Sequence, residues 1–351
     1  MNRLRLPLLF CALALAVAIP ACGGGRTGRK DEGVYGKYTL YQTKTDQTDQ
    51  AKAENNASDV LTKLANEDNV CLIGLWAYNP PAILTAAKKV NKAGKVHIVG
   101  FDEDENTLRG IKDGHIAGTV VQQPFEFGYQ SVRIMAHLVR HPKEPLPETI
   151  QVGEDKVQLK DGKYYIPHKV VTEENVEEFH ERLQKQIKAG QGSATAVVED
   201  KIKVAFVTNN PHEFWTIAEA GTRAAAAEFN VNVEFKRPEK GTVAEQQSII
   251  QDLLNNKVQA IAISVNDPAN QKDFLNKVAS RVPLITQDND APDTDRACYI
   301  GTDNVTAGHA VGKLVKKAMP EGGTIAIFVG QLDALNAQQR KQGVLEELEK
   351  E

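Results

Sequence analysis

The chain has 351 residues, of which 41% are hydrophobic and 25% are charged. With a mean hydropathy of −0.37, this composition is that of a globular protein large enough to form two lobes. The formal net charge of −4 and the pI near 6.1 give no electrostatic reason to expect a nucleic-acid partner.

The first residues have the pattern of an export signal. Two arginines precede an apolar stretch, residues 6–19, that is short for a membrane span. The sequence "AIPAC" follows and ends at Cys22. It resembles the lipobox of bacterial lipoproteins, in which the cysteine is lipidated and becomes the mature N-terminus. We predict a signal peptide at 1–21 and a lipid anchor on Cys22; the alternative is an ordinary cleaved signal with an incidental cysteine.

The remaining cysteines and the histidines do not have the spacing of a metal site. Cys71 and Cys298 each lie in a short apolar strand pattern and are predicted to be buried thiols. The eight histidines are scattered, without an HExxH arrangement. We therefore expect neither a metal ion nor another cofactor.

Strand and helix patterns alternate after a polar, glycine-rich tether at 22–34. The first predicted strands are "GKYTLYQ", "VCLIGLW", "KVHIVGF" and "AGTVVQ", and the helices between and after them are 49–66, 80–92, 105–113 and 125–140. Residues 148–170 interrupt this alternation with short charged strands and turns. A charged helix at 172–188 follows.

A second series of strands and helices follows a small, polar linker at 189–199. Its strands are "IKVAFVT", "NVEF", "VQAIAISV", "PLITQ", "ACYIG" and "GTIAIFVG", and its helices are 213–229, 242–255, 267–280, 305–318 and 336–350. Short strands joined by helices of this length predict an α/β fold with doubly wound parallel sheets.

Polar and aromatic side chains follow the strands, where ligands bind in an open α/β sheet. Carboxylates accept hydrogen bonds from vicinal hydroxyls, arginine and amides donate them, and aromatic rings cover the C–H face of a sugar. The predicted ligand-binding residues are Trp76, Tyr78, Asn79, Asp102, Gln122, Asn209, Asn210, His212, Phe214, Trp215, Asp288, Asn289, Asn336 and Arg340.

Several of these residues also have a purely structural interpretation. Phe214 and Trp215 could pack in the core, although adjacent side chains point to different sides of a helix. Asp102 and Asp288 could cap following helices, and Arg340 could be a solvated charge near the glutamates of its own helix. The ligand site is favoured because several strand ends would otherwise be polar for unrelated reasons.

Motifs in both parts of the chain resemble those of periplasmic sugar-binding proteins of the ribose-binding type. Residues 202–351 resemble the N-terminal half of that family, and residues 35–188 resemble its C-terminal half. The motifs are "VAFVTNNPHEFW", "VPLITQD", "YIGTDNVTAGHAVG" and "NAQQRKQG" in the later segment, and "IVGFDEDENTLRGIKDGHIAGTVVQQP" in the earlier one. The order of the halves is reversed, so the chain resembles a circular permutant.

The resemblance implies roles for individual residues. Phe214 and Trp215 match the stacking aromatics, and Asp288 matches the carboxylate after the fourth strand. Arg340 matches the arginine at the helix start. The pair from the C-terminal half is matched by Asp102 and Gln122.

Two positions depart from the ribose-binding pattern. Tyr78 and Asn79 stand where the family usually has an Asn-Asp pair, and Asn289 stands where ribose-binding proteins have arginine. These departures argue against ribose as the ligand.

The resemblance also implies a fold and a function. We expect a type I periplasmic binding protein with two Rossmann-like lobes, 35–122 with 303–351 and 123–151 with 200–302, an extension near the hinge at 152–188, and a multi-strand hinge. The protein would be the lipid-anchored, extracytoplasmic component of an ABC transporter. It would close on a small sugar or polyol and present it to a membrane permease as a monomer.

Two other functions remain open from the sequence. A lipoprotein of the same fold could sense a sugar and signal to a chemoreceptor or sensor kinase. An α/β enzyme could use Asp288 or His212, but no GxGxxG lies between a strand and a helix, and GxxxxGK(S/T) and GxSxG motifs are absent. We therefore predict that the protein is not an enzyme.

Overall fold

The computed structural model describes residues 33–192 and 201–350. The predicted signal peptide, Cys22 and most of the predicted tether and linker lie outside these ranges. Within them, no helix combines the length and apolar character that a membrane span requires.

The strands and helices follow the predicted alternation. The strands are β1 (Gly33–Tyr35), β2 (Tyr38–Thr45), β3 (Val70–Gly74), β4 (His97–Phe101), β5 (Gly118–Val121), β6 (Thr149–Val152), β7 (Asp155–Lys160), β8 (Lys163–Tyr165), β9 (Lys169–Val171), β10 (Ile202–Val207), β11 (Val231–Lys236), β12 (Ala260–Ile263), β13 (Leu284–Gln287), β14 (Tyr299–Gly301) and β15 (Gly323–Val329). The helices are α1 (Gln50–Lys63), α2 (Asn79–Lys89), α3 (Glu105–Lys112), α4 (Pro124–Arg140), α5 (Val176–Gly192), α6 (Phe214–Glu228), α7 (Val243–Asn255), α8 (Pro268–Ala279), α9 (Asn304–Ala318) and α10 (Leu335–Glu349).

Two mostly parallel sheets organise these elements. The first has the order β1-β2-β15-β3-β4-β5-β9, and the second has the order β11-β10-β12-β13-β14-β8-β7-β6. The first sheet has five neighbouring parallel strands, and the second has six, from β11 to β8; the remaining strand pairs are antiparallel. The predicted fold class, two α/β lobes with parallel sheets, is confirmed.

The parallel strands are apolar because helices cover both faces of each sheet. The strands β3, β12 and β13 are buried at every position; β3 and β12 are short apolar runs, and β13 ends in two buried polar residues, Thr286 and Gln287. At its carboxyl end each of these buried strands passes into a loop, and α/β sheets bind their ligands at this edge.

Three short connections carry the chain between the two lobes in the described residues, and α5 lies on a fourth path, between β9 and β10. Residues 122–123 connect β5 to α4, residues 166–168 connect β8 to β9, and residues 302–303 connect β14 to α9. Each connection is short. The two lobes are therefore joined by several neighbouring segments and not by one long tether.

Most predicted helix boundaries differ by a few residues from the observed ones, and two differences extend regular structure into the predicted tether and linker. Strand β1 starts at Gly33, inside the predicted tether, because it pairs with β2. Helix α5 continues to Gly192, inside the predicted linker, because it packs against α6. Tertiary packing thus extends regular structure into segments whose composition is typical of loops.

Candidate functional site

Side chains from both lobes surround a cavity of about 50 Å³ at the carboxyl ends of the parallel strands. An adjoining outer chamber of about 720 Å³ shares four of the same residues. Apart from Ala77, the residues that line the inner cavity are all among the predicted ligand-binding residues: Trp76, Tyr78, Asp102, Gln122, Asn209, Asn210, His212, Phe214, Trp215, Asp288, Asn336 and Arg340.

Arg340 lines the cavity from the first turns of α10 and is only 2% exposed. Its Nε donates to Oδ1 of Asn304 at 2.9 Å, and its Nη1 donates to the Leu75 carbonyl at 3.0 Å. The guanidinium carbon lies 3.9 Å from the centroid of the Phe101 ring. These contacts leave Nη2 without a hydrogen-bond partner in the described structure. Arg340 is therefore not a solvated helix charge.

Asp102 and Asp288 occupy equivalent positions, after β4 and β13. Both have left-handed backbone conformations, with φ of 67° and 57°, which aspartate tolerates better than most residues. Asp102 accepts a hydrogen bond from Nε2 of Gln122 at 2.8 Å, and Asp288 accepts one from Oγ of Ser264 at 2.8 Å. The cap of α3 is Asp104, so Asp102 does not have that role.

Burial and the neighbouring charges shift the pKa values of the carboxyl groups in the cavity. Burial raises the pKa of Asp102 to about 6 and also raises the pKa of Asp288, whereas the Arg340 guanidinium lowers both values. Burial, with the charge of Asp102 next to it, raises the pKa of Glu103 well above its ordinary value. One guanidinium thus faces two carboxyl groups, an arrangement that disfavours an anionic ligand.

His212 and Tyr78 face each other from the two lobes. Their ring centroids are 5.6 Å apart. Nδ1 of His212 accepts the backbone N–H of Phe214 at 3.1 Å, and burial lowers the pKa of this histidine. His212 is therefore a neutral imidazole with its proton on Nε2, and it can donate to a ligand from that atom.

The adjacent aromatic residues at the start of α6 both line the cavity. Phe214 and Trp215 are nearly perpendicular, at 86°, with centroids 5.0 Å apart. Trp215 is 1% exposed and also packs against Phe206 in the core of its lobe. The structural and the ligand-binding interpretations therefore apply to the same side chain.

Two predicted residues do not reach the inner cavity. The side chain of Asn79 accepts the N–H of Trp76 and donates to Asp46, so both ends of its amide are occupied. Asn289 lines the outer chamber, and its Oδ1 accepts the N–H of Asn336 from the other lobe at 3.3 Å. The Asn79 amide therefore holds Trp76 and Asp46 in place, and the Asn289 amide contacts Asn336 across the cleft.

Asp46 is a residue that sequence reasoning missed. It is 1% exposed and accepts hydrogen bonds from the Tyr78 hydroxyl at 2.6 Å and from Nδ2 of Asn79 at 2.9 Å. It therefore fixes the ring of Tyr78 in the cleft. Its surroundings in sequence, "TDQTD", are those of a polar turn, and only the strand pattern before it gave a signal.

Four lining residues present buried polar atoms without a partner in the described structure. The donors are Nη2 of Arg340 and Nε1 of Trp76, and the acceptors are Oε1 of Gln122 and Oδ1 of Asn336. Buried polar groups in proteins are almost always hydrogen-bonded. A ligand rich in hydroxyls, each able to donate and to accept, fits this mixture.

Comparison with protein families agrees with this geometry. A family model described as "Periplasmic binding protein domain" matches residues 26–143 and 204–351, which is most of the chain. The chain belongs to the periplasmic binding protein domain family. The predicted family is thus confirmed, and membership implies an extracytoplasmic location. Proteins of this family bind solutes and are not enzymes, in agreement with the prediction.

Solved structures similar to this periplasmic binding protein align over about half of their own length. An ABC transporter solute binding protein from Burkholderia graminis, in complex with D-arabinose, is 32% identical over 44% of this chain and 53% of its own, with a TM-score of 0.41. A glucose-galactose binding protein from Geobacillus stearothermophilus is 27% identical over 43% and 55%, also with a TM-score of 0.41. The fructose-binding periplasmic domain of a hybrid two-component system is 19% identical over 42% and 49%, with a TM-score of 0.40.

Proposed function

We propose that this periplasmic binding protein binds a small neutral sugar or polyol in the cleft between its lobes. The observation that carries the proposal is the set of buried donors and acceptors around the cavity that lack protein partners. Perpendicular aromatic rings, Phe214 and Trp215, adjoin these polar groups and offer apolar surface to the C–H side of a sugar ring. The ligand-binding residues are those that line the inner cavity.

The charges around the cleft favour a neutral ligand. Asp102 and Asp288 accept hydroxyl hydrogen bonds, and Arg340 donates. The outer chamber adds four acidic residues and one lysine to its lining: Glu54, Asp104, Glu213, Glu239 and Lys240. A sugar phosphate or sugar acid would enter against this net negative charge, so we expect such ligands to be rejected.

Closure of the lobes around the sugar is the proposed mechanism of capture. The cavity has walls from both lobes, and the Asn289–Asn336 hydrogen bond and the Tyr78–His212 contact cross between them. A sugar that contacts both lobes stabilises the closed arrangement over an open one, because only the closed form makes both sets of contacts. The closed protein would then deliver the sugar to an ABC permease in the membrane.

The order of the two halves supports a circular permutation. In the second sheet the parallel strands β10 to β14 have the spatial order 2-1-3-4-5 of doubly wound sheets. The first sheet has the same order only if β15 is its first strand and β2 its second. We take 35–122 with 303–351 as one lobe and 123–151 with 200–302 as the other. The first lobe thus begins at the C-terminal end of the chain.

A lipid anchor on Cys22 would hold the protein at the membrane. Replacing this residue in Cys22→Ser should move the protein from the membrane fraction to the soluble fraction and abolish incorporation of labelled palmitate. The control is Cys71→Ala, since Cys71 is buried and should leave both results unchanged. Membrane association of Cys22→Ser equal to that of the natural protein would contradict the anchor.

A ligand screen tests the sugar-binding proposal. Pentoses, hexoses and polyols are compared with uronic acids and sugar phosphates by thermal unfolding, and each stabilising compound is then titrated calorimetrically. A ligand at about 100 times its dissociation constant should stabilise the fold by about 2.7 kcal/mol. The proposal fails if no neutral sugar or polyol stabilises the protein, or if only the anionic compounds do.

A pair of variants tests whether the sugar binds in the inner cavity. Asp288→Asn keeps the shape of the side chain but removes the charge that accepts a hydroxyl, so affinity should decrease about tenfold or more. Asp267→Asn changes a half-buried aspartate that caps α8, outside the cavity, and should bind as the natural protein does. Equal loss in both variants would mean that the sugar binds elsewhere.

A further inference from the structure

We propose that the end of helix α4 carries a surface site for one divalent transition-metal ion, made by His137, His141 and Glu144. In the described residues, each of these side chains offers one ligand atom, and the three atoms lie within 4.8 Å of one another. The site lies outside the cleft, since none of the three residues lines either cavity there. It is independent of the proposed sugar function.

The local backbone sets the spacing of the ligands. His137 and His141 are one helical turn apart, and the N–H of His141 donates to the His137 carbonyl at 2.8 Å. The N–H of Glu144 donates to the His141 carbonyl at 3.0 Å and folds the following turn back towards the helix. Two histidines four residues apart on one helix face form a chelating pair for zinc.

The orientation of the side chains suits metal binding. The two imidazole rings are stacked, with centroids 5.2 Å apart and 29° between their planes. Nδ1 of His141 lies 3.1 Å from Oε1 of Glu144. Ligand atoms about 2.0–2.1 Å from a tetrahedral zinc ion are about 3.3 Å apart, so this pair already has a suitable separation.

A hydrogen bond outside the ligand set fixes the tautomer of His137. Its Nε2 lies 3.0 Å from the Pro145 carbonyl, which can only accept, so Nε2 carries the proton and Nδ1 is left as the ligand nitrogen. Metal-binding histidines commonly donate their other ring N–H to a backbone carbonyl in this way. The arrangement therefore contains a supporting contact as well as three ligands.

The position and composition of the site indicate the class of metal. The residues lie at the C-terminal end of α4, where the helix dipole favours a cation. Two imidazoles and one carboxylate suit zinc, copper or nickel, whereas magnesium and calcium prefer oxygen ligands alone. The bound ion would join the end of α4 to the turn that leads into β6.

Zinc titration of the full chain, made without a polyhistidine tag, tests the site. We expect one zinc ion per chain and a higher unfolding temperature with zinc. His137→Ala and His141→Ala should each weaken zinc binding about tenfold or more. The matched control is His309→Ala, which removes a half-buried histidine that pairs with one glutamate 2.8 Å away and belongs to no group of three metal-ligating side chains in the described residues. This control should bind zinc normally.

Copper provides a second measurement at the same site. Cu²⁺ bound to the full chain should give an electron paramagnetic resonance spectrum with coupling to two imidazole nitrogens, and the spectrum should lose this coupling in His141→Ala. The proposal is overturned if the natural chain binds no zinc at millimolar concentration. It is also overturned if the folded His137→Ala/His141→Ala double variant binds zinc and copper as the natural chain does.

Discussion

Arg340 is a charged side chain that is stable in the interior because each of its contacts compensates for lost water. Two hydrogen bonds, the Phe101 ring and the nearby carboxyl groups of Asp102 and Asp288 surround it. The planar guanidinium has several N–H donors in a fixed arrangement, so it can bind Asn304 and Leu75 together and still leave Nη2 for a ligand. Lysine has the charge but not this geometry.

We therefore expect Arg340→Lys to weaken sugar binding about tenfold to a hundredfold, since a hydrogen bond to a charged group contributes about 1.5–3 kcal/mol. Calorimetric titration measures the affinity, and chemical denaturation measures the free energy of unfolding. The control is Arg296→Lys, because Arg296 is also buried and paired, with Asp290, but lies outside the cavity. The control should lose stability and keep its affinity. Equal affinities in both variants would contradict the assigned role of Arg340.

Asp102 should make both stability and sugar affinity depend on pH, with opposite signs. Burial raises its pKa to about 6, above the value of about 3.9 in an unfolded chain, so the folded state binds more protons between these values. The contribution of Asp102 to the free energy of unfolding therefore decreases as pH rises from about 4 to about 6. Sugar hydroxyls donate to the ionised form, so affinity should increase over the upper part of that range.

Calorimetric titrations at pH 5, 6, 7 and 8 measure this dependence. In Asp102→Asn the affinity should be lower at neutral pH and should vary less between pH 5 and 7, with Asp288 and Glu103 as the remaining nearby titrating groups. An unchanged pH profile in Asp102→Asn would show that its carboxyl group does not contact the ligand.

Most lining residues of the cavity could be predicted because each follows a recognisable parallel strand. Asp102 and Asp288 could be recognised in the sequence because they follow β4 and β13 directly. Asp46 and Ser264 could not be recognised, since their importance depends on the side chains of Tyr78 and Asp288 that they contact. His137 and His141 were missed because a search for HExxH passes over a pair without the glutamate between them.

At the scale of elements, α9 and α10 form a helix pair whose close packing fixes the position of Arg340. Glycines on both helices allow their backbones to touch: a Cβ atom at Gly308 would clash with the Arg340 carbonyl, and one at Gly343 would clash with the Val305 carbonyl. A rigid backbone cannot move aside as a side chain can. The distance between these helices is therefore coupled to the position of the guanidinium in the cavity.

Gly308→Ala should separate the two helices, lower the free energy of unfolding by about 1–3 kcal/mol and weaken sugar binding by displacing Arg340. Chemical denaturation and calorimetry measure the two effects. Gly114→Ala is the control, since Gly114 has φ of 71° and no heavy atom within 4 Å of an added Cβ. That control should lose some stability through backbone strain but bind sugar normally. If Gly308→Ala also binds normally, α10 is not positioned by this contact.

The helices and parallel strands could be predicted because the apolar periodicity of their sequences can be recognised without knowledge of the fold. The segment from β6 to β9 could not be placed in the same way. Its short charged strands divide between the sheets, with β8 beside β14 and β9 beside β5. The position of such strands depends on the neighbouring strands with which they pair, and their own sequences have little apolar periodicity.

At the scale of the whole molecule, the two ends of the described chain are neighbours. Strand β1 packs against α10, and the backbone of Gly36 faces the Leu348 carbonyl. A short connection could therefore join the ends without disturbing either sheet. Ends that meet on the surface are the condition under which circular permutation preserves a fold.

A re-ordered chain tests the proposed permutation. It starts at Lys201, runs to Glu351, continues from Asp31 and stops at Ala189. We expect it to have the same circular dichroism spectrum as the natural order and an affinity for the same sugar within about threefold, because the contacts of both lobes are retained. A re-ordered chain that is unfolded, or folded without sugar binding, would show that the two segments are not halves of one permuted unit.

The three short connections between the lobes limit the ways in which the lobes can move. One flexible segment would leave the lobes free to rotate about every axis. Three neighbouring segments in fixed positions, with α5 packed on α3 of one lobe and on α6 of the other, leave essentially one rotation, about the line that the segments define. Opening is then a movement along one coordinate. A single distance across the cleft, such as that between labels near Tyr78 and His212, would describe the state of the whole molecule.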